Sequence, residues 1–254
     1  MAAVETPALL AVEGLTAGYL DIPAVRDVSL TVGSGEVVAL LGPNGAGKTT
    51  TLSAIAGLLD PLSGSVAFEG REIGGERAYR LARGGLSLVP DDRALFFDLT
   101  TRENLRLARR GESLSEDEVL ELLPELRKCL GRLAGVLSGG EQQMLSLARA
   151  LMTKPRLLLV DEMSLGLATV IVERLLPVLR RIAEESGAGV IFVEQHVPLA
   201  LELADRAYVM ANGRIVLEGS AAELLRDREL LEASYLGESR IRMQDLGSTR
   251  GGGA

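Results

Sequence analysis

The chain has 254 residues, of which 47% are hydrophobic, so it is long enough to enclose a large core. Its net charge of −8 and its lack of Trp argue against a nucleic-acid partner, which would require clustered cations or stacking aromatic rings. No basic leader precedes an apolar run, and no apolar stretch reaches the roughly 20 residues of a membrane span, so we expect neither a signal peptide nor insertion into a membrane.

Short apolar runs of strand length recur along the chain, and three of them contain only apolar residues: Val37–Leu41, Leu157–Val160 and Val190–Val193. Strands that are covered on both faces show this pattern, so we predict a largely parallel sheet and an α/β fold. Further strands are predicted at Val28–Val32, Ser65–Phe68 and Leu86–Val89, and at Tyr208–Met210 and Ile215–Leu217, which flank an Asn-Gly hairpin turn.

A glycine-rich segment, Gly42-x4-Gly47-Lys48-Thr49, follows the first of these buried-type strands and precedes a predicted helix that ends near Gly57. Glycines let successive backbone N–H groups face one concavity, and a helix N-terminus adds partial positive charge. This strand–loop–helix context is typical of a loop that binds the phosphates of a nucleoside triphosphate, most simply ATP. The predicted phosphate loop comprises Gly42, Pro43, Asn44, Gly45, Ala46, Gly47, Lys48, Thr49 and Thr50.

The chemistry expected at this loop depends on its side chains Lys48 and Thr49. Lys48 would bridge the β- and γ-phosphates, and Thr49 would offer its hydroxyl to Mg²⁺. An ordinary glycine-rich turn between a strand and a helix is the alternative interpretation, which the Lys-Thr pair and the flanking elements make the weaker one.

Between Phe96 and Pro155 the pattern becomes helical. Thr100 and Ser115 each precede a Glu by three residues, which predicts capping boxes at the start of two helices. A third helix is predicted from near Gly140 through Leu151, with Met144, Leu147 and Leu151 on one face. The single cysteine, Cys129, lies in this insert; it excludes an internal disulfide and is interpreted as an inert thiol.

An acidic pair, Asp161-Glu162, follows the apolar strand Leu157–Val160. Ligands of open α/β folds bind at the carboxyl ends of the strands, where Asp161 could hold Mg²⁺. Glu162 could polarise a water for attack on the γ-phosphate. Such a pair is often only a helix cap, but beside a phosphate loop the catalytic interpretation is favoured.

The segment Leu137-Ser-Gly-Gly-Glu-Gln-Gln143 places Ser138 and two glycines at a predicted helix start, 23 residues before Asp161. Such a start is a second anion site. The segment resembles the signature of ATP-binding cassette (ABC) proteins, and the resemblance covers roughly Leu10 to Gly237. It is closest to the ATPase subunits of branched-chain amino acid importers, on the stretches Ser138–Met144, Asp161–Ala168, Val193–His196 and Ser234–Gly237.

The resemblance implies a P-loop NTPase (RecA-like) core with a mostly parallel sheet, an N-terminal antiparallel β subdomain and a helical subdomain. It implies a cassette over residues 8–237, with the helical part at about 96–155. The tail at 238–254 ends in Gly-Gly-Gly-Ala and is predicted to be disordered. The resemblance further implies that the signature, Ser138, Gly139, Gly140 and Glu141, contacts the γ-phosphate bound to another subunit. In the same family Tyr19 would stack on adenine, His196 would contact the γ-phosphate, and the segment 164–167 would contact the partner.

The function that the resemblance implies is hydrolysis of ATP with Mg²⁺ to drive a membrane transporter for a small solute. The partners would be integral membrane permease subunits and either a second copy or a sister ATPase. The chain would then be cytoplasmic and peripheral on the inner face of the membrane.

Three positions depart from the family pattern. Asp91 stands where most ABC ATPases have a Mg²⁺-sensing Gln and the branched-chain group has Glu; its side chain is shorter, so a water-bridged metal contact is favoured over a direct one. Met163 and Thr169 replace prolines, which would loosen two turns.

Two other functions remain open from the sequence. A soluble ABC protein that acts as a nucleotide-gated assembly scaffold would carry the same motifs. A GTPase-type switch is disfavoured because the chain has no Asn-Lys-x-Asp segment to read guanine.

Overall fold

A seven-stranded sheet lies at the centre of the computed structural model, which describes residues 8–109, 113–164, 167, 169–226 and 241–242. Five strands of this sheet are mutually parallel, and the strand order is β11-β10-β9-β3-β8-β7-β6. The strands are β3 (Val37–Leu41), β6 (Leu86–Val89), β7 (Leu157–Val160), β8 (Gly189–Glu194), β9 (Arg206–Ala211), β10 (Arg214–Ser220) and β11 (Ile241–Arg242).

A second sheet is antiparallel and comes from the N-terminal part of the chain. Its order is β2-β1-β4-β5, with β1 (Leu10–Tyr19), β2 (Ile22–Val32), β4 (Pro61–Phe68) and β5 (Arg71–Glu72). The predicted combination of a mostly parallel core sheet with an N-terminal antiparallel subdomain is therefore confirmed.

Helices cover the core sheet, and three of them lie between β6 and β7 in the chain, in the predicted helical insert. Two short 3-10 turns, at Pro124–Cys129 and Ala134–Val136, complete this insert. The helices are α1 (Lys48–Ile55), α2 (Ala78–Arg83), α3 (Thr101–Ala108), α4 (Glu116–Leu122), α5 (Gly139–Met152), α6 (Thr169–Ser186), α7 (Val197–Leu203) and α8 (Ala221–Arg226). None of the described helices is long and apolar enough to cross a membrane.

The central strands are buried on both faces, as their sequences predicted. Successive residues of β3 enter two different hydrophobic clusters, because neighbouring side chains in a strand point to opposite faces. Val37, Ala39 and Leu41 pack on the side of α5 and α6, whereas Val38 and Leu40 pack on the side of α1 and the antiparallel sheet. This double burial holds the carboxyl ends of the parallel strands in one rigid edge.

The local signals for turns and caps have the expected geometry. Thr100 and Ser115 both form complete capping boxes, each with the glutamate three residues later. Asn212 and Gly213 both have positive φ, as the hairpin turn between β9 and β10 requires. Most of the predicted tail, 238–254, lies outside the described residues; Ile241–Arg242 pair with β10 as a two-residue strand.

Replacement of Phe192 by Ala tests the importance of the packing on β8, where this side chain is fully buried. We expect the free energy of unfolding to fall by about 3–5 kcal/mol, since a large cavity opens in a close-packed core. Denaturant titration followed by circular dichroism measures the change. The matched control is Phe97→Ala, whose ring is half exposed, and an equal loss in both variants would contradict this view of the core.

Candidate functional site

The turn between β3 and α1 has a backbone that only glycine can adopt at two positions. Gly42 has φ 146°, and a Cβ there would lie 2.3 Å from the Met210 carbonyl oxygen. Gly47 caps α1 with φ 100°, and a Cβ there would lie 2.3 Å from Cγ1 of Val25. Between them, Pro43, Asn44 and Gly45 are exposed. The predicted phosphate loop is therefore an open turn whose two ends are packed tightly against the fold.

Lys48 is a buried cation at the start of α1, with 3% of its surface exposed. Its ammonium group donates hydrogen bonds to the carbonyl oxygens of Gly42 at 2.8 Å and Pro43 at 3.0 Å, so the side chain folds back over the loop. Burial lowers its pKa, and the nearby carboxylates of Glu162 and Asp161 oppose that shift. The charge thus lies at the predicted phosphate loop.

Asp161 follows β7 directly and is almost completely buried. Its backbone N–H donates to the Val89 carbonyl at 2.8 Å, which fixes the carboxylate at the edge of the sheet. Burial raises the pKa of Asp161 to about 6, while a hydrogen bond with Thr49 lowers it and the charge of Asp91 raises it. The structure therefore brings Asp161, Thr49 and Lys48 together at one edge of the sheet.

The oxygen atoms at this edge suit a magnesium ion. Oδ1 of Asp161 is buried and has no hydrogen-bond partner, and the Thr49 hydroxyl lies against the same carboxylate. Mg²⁺ prefers such oxygen donors and completes its shell with phosphate oxygens and water. No group of three or more His, Cys, Asp or Glu side chains in the described part of the chain forms a cage for a metal. The residues fit Mg²⁺ that arrives with a nucleotide better than a permanently held ion.

Glu162 is partly exposed beside Asp161 and has a left-handed backbone, with φ 41°. Non-glycine residues in this region cost about 1–3 kcal/mol and concentrate at functional positions. The side-chain amide of Gln195 donates to Oε1 of Glu162 at 3.3 Å. The carboxylate is thus held at the mouth of the site, where it could take a proton from a water molecule.

Glu194 is a buried carboxylate at the end of β8 that sequence reasoning missed. Its Oε2 accepts a hydrogen bond from Ser164 Oγ at 2.7 Å and one from the Gln195 N–H at 3.2 Å. Burial raises its pKa, and its charge also acts on Lys48. The sequence signal that could have identified Glu194 was a charged residue at the end of a wholly apolar strand. Nothing in the sequence predicted the hydrogen bond from Gln195 to Glu162.

The signature segment forms the N-terminus of α5 with Ser138 as its cap. The Ser138 hydroxyl accepts from the Glu141 N–H, and the Glu141 carboxylate accepts from the Ser138 N–H at 2.8 Å. Arg132 and the Cys129 thiol also donate to that carboxylate, and the pKa of Glu141 falls to about 2, mainly through the Ser138 backbone hydrogen bond. Within the described residues, these contacts of Ser138 and Glu141 stay inside the helical insert.

The remaining predicted residues lie at the surface around the edge of the sheet. Tyr19 ends β1 and is 56% exposed, so its ring is free to stack on a base. His196 is exposed at the N-cap of α7, just beyond β8. Asp91 is exposed and accepts a hydrogen bond from the Asp92 N–H at 2.9 Å. Of the predicted dimer-contact loop, Ser164 and Leu167 are described, and residues 165–166 lie outside the described part.

Comparisons with known proteins agree on one family. A family model described as ABC transporter matches residues 25–164. The chain is 42% identical to the high-affinity branched-chain amino acid transport ATP-binding protein BraG of Pseudomonas aeruginosa, over 90% of this chain and all of that protein. It is 34% identical to the lipopolysaccharide export system ATP-binding protein LptB of Escherichia coli, over 91% of this chain and 98% of that one.

Solved structures give the same result for the fold. The ADP conformation of an ATP-binding cassette from an ABC transporter superposes with a TM-score of 0.77 and 27% identity, covering 92% of this chain and 100% of that one. A dimeric cassette in a post-hydrolysis state bound to ADP and phosphate superposes with a TM-score of 0.74 and 25% identity, covering 84% and 98%.

Replacement of Lys48 by Ala tests the candidate phosphate site. We expect ATP affinity to fall about 10- to 100-fold, since charge-assisted hydrogen bonds contribute about 1.5–3 kcal/mol. Equilibrium binding of a fluorescent ATP analogue measures the change. Lys128→Ala, which removes an exposed lysine from the helical insert, should bind as the parent does. Unchanged affinity in Lys48→Ala would contradict the assignment of the loop.

Proposed function

Because the chain belongs to the ABC transporter family of ATP-binding proteins, we propose that it hydrolyses ATP to power solute transport through separate membrane permease subunits. The observation that carries this proposal is the group of Lys48, Thr49, Asp161 and Glu162 at one edge of the sheet. Each has the chemistry that phosphoryl transfer requires: a cation, two oxygen donors for a metal, and a carboxylate that faces solvent.

Each residue has one task in the proposed reaction. Lys48 binds the β- and γ-phosphates, Thr49 and Asp161 hold Mg²⁺, and Glu162 orients and deprotonates the attacking water. Bound Mg²⁺ would neutralise charge on the phosphates as it develops. His196, at the start of α7, would contact the γ-phosphate, and Tyr19 would stack on the adenine ring. Asp91 would sense the metal through water.

A second cassette completes the proposed site. Ser138, Gly139 and Gly140 present a helix N-terminus to an anion, yet the hydrogen bonds of the Ser138 cap lie within its own insert and not at the phosphate loop. The signature would therefore contact the γ-phosphate on another subunit, either a second copy or a sister ATPase. The structurally similar cassette that is a dimer bound to ADP and phosphate supports the pairing of two cassettes.

A groove beside the helical insert is the proposed docking site for the permease. The groove encloses about 690 Å³ between α2, the turn after β6, α3 and α5. Tyr79 and Leu107 line it, and each is about half exposed. Exposed apolar side chains that rim a groove are typical of a protein-binding surface, and a short amphipathic helix of a membrane subunit would fit this one.

The proposed solute is a branched-chain amino acid or a similar small molecule. Identity of 42% to the Pseudomonas relative favours this solute over the lipopolysaccharide handled by the relative that is 34% identical. Docked on its permease, the chain would lie at the inner face of the cell membrane. A soluble assembly scaffold is the competing function, and it would need no membrane partner.

Glu162→Gln tests the catalytic part of the proposal. We expect ATP to bind normally and hydrolysis to fall by about 100-fold or more, because the amide cannot accept the proton of the attacking water. The variant should accumulate as an ATP-bound dimer in sedimentation velocity. Glu202→Gln, on the exposed face of α7, is the matched control and should hydrolyse ATP at the parent rate. Parent-like turnover in Glu162→Gln would rule out Glu162 as the base.

Leu107→Asp tests the docking groove and separates the two functions. We expect a tagged parent chain to co-purify from native membranes with integral membrane subunits in fixed stoichiometry. A buried carboxylate in the apolar contact should abolish that complex while ATP hydrolysis by the isolated chain persists. Leu62→Asp, on the antiparallel sheet, is the control and should retain the complex. A parent chain that carries no membrane subunit would favour the scaffold.

A further inference from the structure

Arg93 connects two parts of the molecule that the proposed mechanism uses separately. It lies in the turn after β6, two residues after Asp91, and its side chain reaches the signature helix α5. Its Nε donates to Gln143 Oε1 at 3.1 Å, and its Nη1 donates to Gln142 Oε1 at 2.7 Å. One guanidinium therefore holds two consecutive residues of α5, as its rigid fork of donors allows.

The backbone of the same turn is also attached to α5. The Ser146 hydroxyl donates to the Arg93 carbonyl at 2.8 Å, and the Arg149 guanidinium donates to the Ala94 carbonyl. Arg149 further lies over the ring of Phe96, 5.2 Å from its centre. The segment 93–96 is thus fixed along two turns of α5 by hydrogen bonds and a cation–π contact.

This attachment holds an unfavourable backbone conformation. Arg93 and Ala94 both have positive φ, at 64° and 46°, which non-glycine residues rarely adopt. The Arg93 N–H donates to the Pro90 carbonyl at 3.0 Å, and this bond closes the turn around Asp91. The side-chain hydrogen bonds to α5 keep Arg93 in this conformation. The position of Asp91 therefore depends on the position of α5, and the position of α5 depends on that of Asp91.

Arg93 also lies next to the glycine of the signature. A Cβ on Gly139 would be 3.6 Å from Nη2 of Arg93, so the guanidinium packs against the first turn of α5. Gln143 is 3% exposed, and its amide nitrogen has no partner, so its amide oxygen is held chiefly by Arg93. Gln142 N–H in turn donates to the Ser138 carbonyl at 2.9 Å. The contacts run without a gap from the Asp91 turn to Ser138.

We propose that Arg93 is a positioning residue that connects the Asp91 turn to the signature segment. Through this connection, binding at the turn determines how well Ser138–Gly140 contact the γ-phosphate of the ATP that a second copy of this chain holds. The inference rests on the proposed dimeric site. Pro90, Arg93, Ala94, Ser146 and Arg149 also line the proposed docking groove, so a permease helix there would press on the same connection.

Arg93→Ala in the Glu162→Gln background tests this role through dimerisation. Sedimentation equilibrium in saturating ATP·Mg²⁺ gives the dimer dissociation constant, and we expect it to rise about tenfold on loss of two charge-assisted hydrogen bonds. The affinity of the monomer for a fluorescent ATP analogue, measured at protein concentrations below dimerisation, should stay within about twofold. A variant that folds poorly would instead show weaker dimerisation, weaker binding of the ATP analogue and a lower Tm.

Three further variants test whether the effect is specific to Arg93. Arg93→Lys retains the charge but cannot bind both glutamines as a fork, so an intermediate dissociation constant is expected. Arg102→Ala, on α3 of the same insert, removes an exposed arginine that pairs with Glu116 and should leave dimerisation unchanged. In a Gln142→Ala background, Arg93→Ala should have a smaller effect than in the parent, because the two residues share one bond.

The possible failures are distinguishable. If the Glu162→Gln parent does not dimerise with ATP, the proposed pairing of two copies is wrong and the role of Arg93 falls with it. If the parent dimerises and Arg93→Ala dimerises with the same dissociation constant, only the role of Arg93 is overturned. The role of Arg93 would also be overturned if Arg93→Ala and Gln142→Ala had fully additive effects on the free energy of dimerisation.

Discussion

The burial of the Lys48 ammonium at the carboxyl edge of a parallel sheet is the constraint on which the rest of the site depends. A buried cation is costly unless opposite charges lie close to it, and here Glu162, Asp161 and Glu194 come from the ends of two neighbouring strands. Two of these carboxylates are themselves buried: burial raises the pKa of Asp161 to about 6, and burial also raises the pKa of Glu194. The four groups, one cation and three carboxylates, form a cluster whose charges a bound phosphate with Mg²⁺ would rearrange.

The strain at this edge extends into loops that contact other subunits in the proposed assembly. Glu162 has a left-handed backbone, and Ser164 after it is bound to Glu194, so the start of the predicted dimer-contact loop is anchored to the same cluster. On the other side of the site, Asp91 begins the turn that Arg93 fastens to α5. Both loops are therefore connected to the carboxylates of the site, Ser164 through its hydrogen bond to Glu194 and the Asp91 turn through the electrostatic interaction of Asp91 with Asp161.

Much of the fold was predictable because the relevant signals are local. The strands Val37–Leu41, Leu157–Val160 and Val190–Val193 are apolar at every position, which only two-sided burial explains. The boxes at Thr100 and Ser115 are satisfied by residues three positions away. The order of the strands was not predictable, since the position of β3 between β8 and β9 depends on pairings between distant residues.

The candidate site also contains some features that the sequence predicted and others that it did not. The phosphate loop and Asp161-Glu162 are contiguous segments, so their spacing alone indicated their chemistry. Gln195 and Arg93 act through side chains that meet residues 33 and about 50 positions away, which no local pattern records. Polar residues are common in loops, so only the folded arrangement distinguishes Gln195 and Arg93 from others.

The central claim is that each chain supplies half of a hydrolytic site, and mixing two defective variants tests it most directly. Lys48→Ala removes the cation of the phosphate loop, and Ser138→Asp keeps a helix cap but places a negative charge at the signature. Each variant alone lacks a complete site. In an equimolar mixture, each mixed pair contains one intact loop facing one intact signature, so ATP hydrolysis should rise well above the sum of the separate rates. A mixture that hydrolyses ATP no faster than that sum, or full activity in Ser138→Asp alone, would contradict a site shared between two copies of this chain.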